Sequence, residues 1–283
     1  MIGLQILNGL VYGSLLMIVA SGLVLIYGLR RVVNFAHGSL FMLGAYIAYA
    51  AAQQFGFWVG LVAAVSVLAA VGFCLDRFGF RLLQDRDPLT VMLVTFGLLL
   101  VFEDVVQSVW GKQSYSLAAP ESLAGTVELF GSPFPVYRLV IVAAGLAVAA
   151  ALVGWLRHSR VGLFIRGAST DPVTTAMQGV NTDRLSGGVV AVGAALAGLA
   201  GVVSGPFLSL SPTMGSDILI DSFVVVVIGG LGSFAGAFVA AMILGQVQAL
   251  GAVYLPDLAA LLPFALMTAV LVWRPSGLSG SRT

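Results

Sequence analysis

An all-α, polytopic bundle of transmembrane helices is the fold class this sequence predicts, and three observations predict it. Of 283 residues, 59% are hydrophobic and only 9% charged, against roughly a quarter charged in soluble domains. The apolar residues come in stretches of about twenty, the length an α-helix needs to cross a hydrocarbon core of about 30 Å. The few charges fall mostly between those stretches. With a mean hydropathy of +1.05, lipid rather than water is expected to face most of the surface. A net charge of +1 carries no argument for a nucleic-acid partner, and none is expected. The single cysteine, Cys74, excludes a disulfide within the chain and is expected to pack as a small hydrophobe.

The first apolar stretch, 4–27, lacks the basic n-region, the short h-region and the small-residue cleavage site of a signal peptide. It reads as a retained span. Further spans follow at 36–54, 57–75, 88–109, 137–156, 185–205, 233–250 and 258–273, eight in all. The piece "DILIDSFVVVVIGG" at 217–230 is too short to cross alone. It reads as a half-helix or re-entrant segment, which needs protein around its ends. Residues 1–283 form one transmembrane domain, with the 157–184 loop as its longest connection.

Sidedness follows from the basic residues. Arg30 and Arg31, then Arg77, Arg81 and Arg86, then Arg157, Arg160, Arg166 and Arg184, and finally Arg274 and Arg282 lie in connections that alternation places on one side. They are eleven of the thirteen basic residues; Lys112 and Arg138 are the exceptions. The alternation works only if 217–230 counts as one extra passage or return. The N-terminus is then outside and the C-terminus cytoplasmic. The opposite loops are 111–135, polar with strand-like pieces, 205–217 and 253–258; the last two carry no basic residue.

The connection "RHSRVGLFIRGASTDPVTTAMQGVNTDRLSGG" is too polar to span and too patterned to be slack. Asp171 before Pro172 is a helix start, a capping side chain ahead of proline at the first helical position, and Gly179 supplies the stop. Val173, Ala176, Met177 and Val180 recur at i, i+3, i+4 and i+7, one apolar stripe. Such a helix either lies flat on the membrane interface or inserts into a groove on a cytoplasmic partner. Two turns bind an interface weakly, which favours the second reading: a coupling helix.

In "RRVVNFAHGSLFMLGAY", Asn34 and His37 sit three residues apart at the start of the second span. Asn34 is suited to cap that helix and His37 and Ser39 to bond at depth, while Gly38 and Gly44 permit close helix approach. "GGLGSFAGAF" is its loose counterpart: Gly229, Gly230 and Gly232 break the chain and Ser233 caps the next helix. The two breaks hint at an internal repeat and are the pathway candidates, since broken helices in transporters leave backbone free for substrate. A structural cap or packing kink is the alternative at each. Glu103 and Asp104 are the acidic pair within a span, a possible intramembrane polar site by default; snorkelling or a partner across a subunit interface is the plainer account. Asp217 and Asp221 read as caps of the half-helix. A lone histidine without Cys, Asp or a second His beside it is a poor metal ligand, so no metal and no catalytic residue is expected.

Three stretches carry a resemblance: residues 8–46 around "NFAHG", 165–188 around Asp171, Ala176 and Gly179, and 195–245 through "GGLGSFAGAF". In that order they resemble the LivH-type permease subunit of branched-chain amino acid ABC transporters. The resemblance implies a bacterial inner-membrane importer working by alternating access. It implies a second, LivM-like permease subunit, two cytoplasmic ATPase subunits carrying Mg-ATP, and a periplasmic substrate-binding protein. It implies that Asp171, Pro172, Val173, Ala176, Met177, Gly179 and Val180 dock on an ATPase. Permeases similar to this one serve branched-chain amino acids, urea, short amides or aromatic acids. The chain itself has no GxxxxGK[ST] phosphate loop, so no cofactor is expected on it. Among other classes, membrane proteases lack their GxSG or HExxH signatures here, and a stand-alone carrier or channel would want carboxylates near the midplane. A sugar-type ABC permease is the nearest rival.

Overall fold

A computed structural model describes residues 2–83 and 86–279; Arg282, used above for sidedness, lies outside the described residues. The elements are α1 (Ile2–Arg30), α2 (Ala36–Phe55), α3 (Phe57–Leu75) continued by a π-helical turn at Asp76–Phe80, α4 (Pro88–Trp110), β1 (Thr126–Leu129), β2 (Ser132–Pro135), α5 (Val136–His158), α6 (Arg160–Thr170), α7 (Pro172–Met177), α8 (Thr182–Ser204), α9 (Met214–Gly229), α10 (Phe234–Tyr254) and α11 (Leu262–Trp273). The strands form one antiparallel hairpin in the 111–135 loop, pairing Thr126 with Pro135 and Leu129 with Ser132.

Seven segments among the described residues are long and apolar enough to cross a membrane, one fewer than the eight read from sequence. The difference is α2. It has 20 residues, but His37, Ser39, Gln53 and Gln54 dilute its apolar character, and all its residues from Ala36 to Tyr46 are buried in protein. The 217–230 segment is a helix of 16 residues, α9, about 24 Å long at 1.5 Å per residue. It is shorter than a hydrocarbon core and largely enclosed. The last span is composite: a 3₁₀ turn at Pro256–Leu261 feeds the twelve-residue α11.

Helix α1 is the axis of the bundle. Every residue from Gly13 to Ile26 is buried, as a helix apolar all round requires, and α5, α8, α9 and α10 pack around it. Helices α3, α4 and α11 lie outside and expose large apolar side chains such as Trp58, Leu93 and Phe264, the surface suited to lipid. Cys74 is on this outer surface, not packed inside.

Lipid offers helices no hydrophobic reason to associate, so small residues that allow close backbone contact hold such bundles together. A β-carbon on Gly13 of α1 would lie 2.9 Å from the Ala241 carbonyl oxygen of α10. One on Gly201 of α8 would overlap the Phe41 carbonyl oxygen of α2. These contacts are backbone against backbone, with no flexible side chain able to yield.

At one end, loops and hairpin are sewn to the helix termini. Tyr115 and Leu210 exchange backbone hydrogen bonds of 2.9 Å, and the Tyr137 hydroxyl donates to the Val203 carbonyl at 2.9 Å, satisfying one of the carbonyls a helix end leaves free. Arg138 donates to Asn8 Oδ1 at 2.8 Å and stacks 5.1 Å over Phe207, so this exception to the arginine pattern is held by an amide and an aromatic face. The other end gathers the arginines.

Gly201→Ala is expected to lower the thermal unfolding midpoint of the detergent-solubilised protein, an overpacking cost of about 1–3 kcal/mol. Gly97→Ala on α4, where a β-carbon meets open space, is expected to be neutral or to stabilise by up to about 1 kcal/mol. Fluorescence-detected size-exclusion melting curves of both variants check the contrast.

Candidate functional site

At the arginine end, one buried carboxylate organises three helices. Asp76 sits in the π-helical turn after α3 with no solvent exposure. Its Oδ1 accepts from Arg30 Nη2 at 2.6 Å, Arg30 Nε at 3.2 Å and Ser186 Oγ at 3.0 Å, and its Oδ2 accepts from Arg81 Nε at 3.3 Å. A buried charge is tolerable only when paired and fully bonded, and this one is. The ends of α1, α3 and α8 therefore converge on one group. Arg81 reaches on with Nη2 to the Asp183 carbonyl at 2.7 Å, and Arg31 Nη2 donates to the Ser169 carbonyl at 3.0 Å, which ties in α6. Sequence reading counted these arginines for sidedness and passed over Asp76. The available signal was an aspartate closing an apolar run immediately before Arg77 and Arg81.

The 157–184 connection is a helical hairpin. Its first arm, α6, was missed from sequence, though Ser159 caps it by accepting from Gly162 N at 2.8 Å. Val161, Phe164, Ile165 and Ala168 also repeat at i, i+3, i+4 and i+7. Ile165 enters a cluster with Leu25, Leu152 and Val189, which seats the arm on the bundle. The second arm, α7, is six residues long. Asp171 caps it, its Oδ1 accepting from Val173 N and Thr174 N, each at 3.0 Å, and its Oδ2 from Thr174 Oγ1 at 2.5 Å. Those bonds, that from the Thr174 hydroxyl foremost, lower the Asp171 pKa. The folded form thus favours the carboxylate: the cap is complete above the ordinary aspartate range and is lost as pH falls through the lowered value. Gly179, at φ +83°, turns the chain away. Pro172 and Ala176 are exposed, Val173 and Met177 are 62% and 80% exposed, and Val180 is half-buried. The apolar stripe points off the protein.

The two helix breaks are placed apart. Asn34 lies before α2 rather than on it, so it shares no helix face with His37; its Oδ1 accepts from Ala36 N at 3.1 Å. His37 Nε2 bonds the Val19 carbonyl at 3.0 Å. Val19 is eleven residues from Arg30 at the end of α1, about 16 Å along the axis, so α2 starts deep within the bundle and not at its surface. Thr95 Oγ1 of α4 accepts from Phe35 N at 3.2 Å, and a β-carbon on Gly38 would overlap the Gly215 carbonyl oxygen of α9. Asn34 Nδ2 and His37 Nδ1 are buried and find no hydrogen-bond partner among the described residues. A void of about 40 Å³ beside Asn34 and Arg30 has room for a water.

The second break, between α9 and α10, sits near the end of α1: a β-carbon on Gly232 would lie 4.0 Å from Gly28 Cα. Gly230 and Gly232 have φ of +95° and +84°, and Ser233 accepts from Gly236 N at 3.1 Å. The chain beyond α11 returns to close it, Leu278 N and Ser279 N donating to the Ile228 and Gly229 carbonyls at 2.8 and 3.2 Å. Nine residues of α1, about 14 Å, separate the Val19 level from Gly28.

Glu103 accepts from Ser216 Oγ of α9 at 2.5 Å, while Asp104 is exposed. Asp217 lies in the first turn of α9. Asp221 is no cap: it accepts from Tyr12 Oη of α1 at 2.5 Å and from Gln248 Nε2 of α10 at 3.3 Å, joining three helices. Among the described residues no three of His, Cys, Asp and Glu gather as a metal site would require.

A buried axial helix, a short enclosed helix, breaks at two depths and a helical hairpin at the arginine end define a polytopic membrane protein of the permease class. The chain belongs to the family described as the permease component of the branched-chain amino acid transport system, matched over residues 5–271. It is 29% identical to the high-affinity branched-chain amino acid transport system permease protein LivH of Salmonella typhimurium, over 98% of this chain and 94% of that protein. It is 28% identical to BraD of Pseudomonas aeruginosa, a permease protein of the same printed description, over 98% and 95%. Similarity to the ribose import permease protein RbsC of Escherichia coli, 31% identical, extends over 41% of this chain and 36% of that one. No solved structure matches the chain.

Asp76→Ala is expected to destabilise the protein by about 3–5 kcal/mol, because two arginines lose their buried partner. Asp183→Ala removes an exposed side chain and keeps the backbone carbonyl to which Arg81 donates; it is expected to cost within about 0.5 kcal/mol. Thermal unfolding midpoints of the two variants, measured side by side, check this.

Proposed function

We propose that this chain is a permease subunit of an ATP-driven importer for branched-chain amino acids in a bacterial inner membrane. It pairs with a second permease subunit, receives solute from a periplasmic binding protein, and is driven by two ATPase subunits that hold Mg-ATP. The arginine end faces the cytoplasm. One observation carries the reading: the capped α7 presents Val173, Ala176 and Met177 outward, at the tip of a hairpin bonded to the bundle through Arg31 and seated on it through Ile165. An apolar stripe held clear of its own protein is built to fill a groove in another, as helix-in-groove recognition requires.

Movement of the ATPase subunits would push α7. Because α6 is packed on α1, α5 and α8, the push reaches the spans as a displacement of packed helices rather than as loop motion. The pathway runs between the permease subunits, served by the helix breaks at Asn34, His37, Gly38, Gly229, Gly230, Gly232 and Ser233, with Glu103 and Asp104 as a separate polar site within the membrane. The substrate class rests on the near-full-length relatives named for branched-chain amino acid transport. The ribose permease similarity covers under half the chain and reflects shared architecture.

Placing Asp at both Ala176 and Met177 would bury two carboxylates in an apolar contact at a cost of several kcal/mol, weakening docking more than about a hundredfold. ATPase subunits are expected to be lost on copurification and leucine uptake by the reconstituted transporter to fall to background, with membrane insertion unchanged. Retained ATPase and full uptake would overturn the assignment. Asp171→Asn, which keeps a capping oxygen, is expected to retain most uptake, whereas Asp171→Ala is expected to reduce it.

A further inference from the structure

Helix α9 is enclosed by α1, α2, α10 and α11 except along one strip of its first two turns. Thr213, just ahead of the helix, Asp217, Ile220 and Val224 recur at i, i+4, i+7 and i+11, on one face. Thr213 and Asp217 are exposed and Ile220 is 46% exposed, whereas Val224 is 2% exposed. The face is open at the end away from the arginines and closed a turn further in. Asp221 stands at one edge of the strip, half-buried. At the other edge Ser216 donates to Glu103 of α4.

This strip lies at membrane depth. Asp221 accepts from Tyr12, ten residues and about 15 Å from the start of α1. Helix α1 has 29 residues, about 43 Å, so a hydrocarbon core of about 30 Å centred on it leaves about 7 Å at each end. Tyr12 and Asp221 then lie about 8 Å inside the core. A carboxylate facing lipid there is costly; such residues face protein, a cation or water and mark solute pathways. Tyr12 and Gln248 hold Asp221 in place, but both are neutral donors. Among the described residues the ion pairs are those of Asp76, at the opposite end of the bundle. No lysine or arginine among them pairs with Asp217 or Asp221.

We propose that this strip of α9 is a wall of the solute pathway on its outer side, and that Asp217 and Asp221 select solutes bearing a positively charged amino group. The solute's ammonium supplies the cation that the two carboxylates lack. Val224 closes the recess beneath it, and Tyr12 and Gln248 fix the position of Asp221. The inference rests on the permease reading and narrows its solute to an amino acid rather than urea, an amide or an acid without an amino group. A second permease subunit lying flat on the strip would have to carry a cation of its own to the same depth.

Thiol labelling tests the strip in the assembled transporter carrying Cys74→Ser, which removes the chain's single cysteine. Ile220→Cys probes the strip, and Leu93→Cys, at a side chain 71% exposed on α4, probes the surface suited to lipid. Thiosulfonates carrying either a trimethylammonium or a sulfonate group are applied to vesicles, and each rate on this chain is divided by that for mercaptoethanol. Ile220→Cys is expected to react about tenfold faster with the cationic reagent, the scale of attraction a charged cleft exerts, and Leu93→Cys with neither. Asp217→Asn combined with Asp221→Asn is expected to erase the preference. Asp217→Asn alone, at an exposed side chain, is expected to reduce it to about threefold, a readout that stands even if the double change impairs assembly. Leucine is expected to slow the reaction, and 4-methylpentanoate, the same skeleton without the amino group, to leave it unchanged. No reaction at Ile220→Cys, equal normalised rates, a preference untouched by the Asn substitutions, or equal effects of the two solutes would each overturn the proposal. The readout involves neither ATP nor uptake, so its failure is distinct from failure of the transport reading.

Discussion

Direct backbone contact between helices is the constraint on which the remaining architecture rests. A bundle in lipid gains nothing from hiding one apolar helix against another, so its cohesion comes from dispersion contacts at close range and from the few hydrogen bonds between helices. Gly13 brings α10 onto α1, Gly201 brings α2 onto α8, and Gly38 brings α2 onto α9. Because these crossings place carbonyl oxygens where a side chain would otherwise stand, each helix has little latitude to slide. The enclosure that results is what permits α2 to begin, and α9 to exist, in the middle of the protein. Irregular backbone at membrane depth survives only where protein covers it.

The polar residues inside the bundle then have specific tasks. His37 takes up a carbonyl of α1, Thr95 serves the backbone ahead of α2, and Asp221 joins α1, α9 and α10 through Tyr12 and Gln248. Each compensates a group that lipid could not. Asp76 performs the same service on a larger scale at the arginine end, where one carboxylate accepts from two guanidinium groups and a hydroxyl. Its neighbours lead outward through Arg81 to the start of α8, and Arg31 to the end of α6. A hairpin bonded in this way moves with the helices it touches, the mechanical property that a coupling element needs and that a slack loop lacks.

Some of this was written plainly along the chain. Asp171–Pro172 and Gly179 bounded α7, and the hairpin in the 111–135 loop showed as strand-like pieces between turn residues, because caps, prolines and glycines act on their immediate neighbours. The α6 signal was equally local, but its apolar stripe is diluted by Arg160, Gly162, Arg166 and Gly167, so it stands out less than that of α7. Asp76 was invisible for another reason: its partners, Arg30 and Ser186, lie 46 and 110 residues away, and no periodicity connects them. Asp221 was misassigned as a cap since its neighbours in sequence are helical, while its bonds run to Tyr12, 209 residues distant. The family likeness spread over nearly the whole chain was legible too, being carried by the order of short motifs.

The sequence by itself determined the solvent, the helical class, most of the span boundaries and the end at which the arginines collect, since each follows from residue hydropathy and short-range backbone preference. Only the tertiary structure decided which helix became the axis, the depth at which α2 starts, and the convergence on Asp76. It also decided the separation of the two breaks and the strip of α9 left open. Those are consequences of how close two backbones can approach, a property of pairs of distant residues that no single stretch of chain contains.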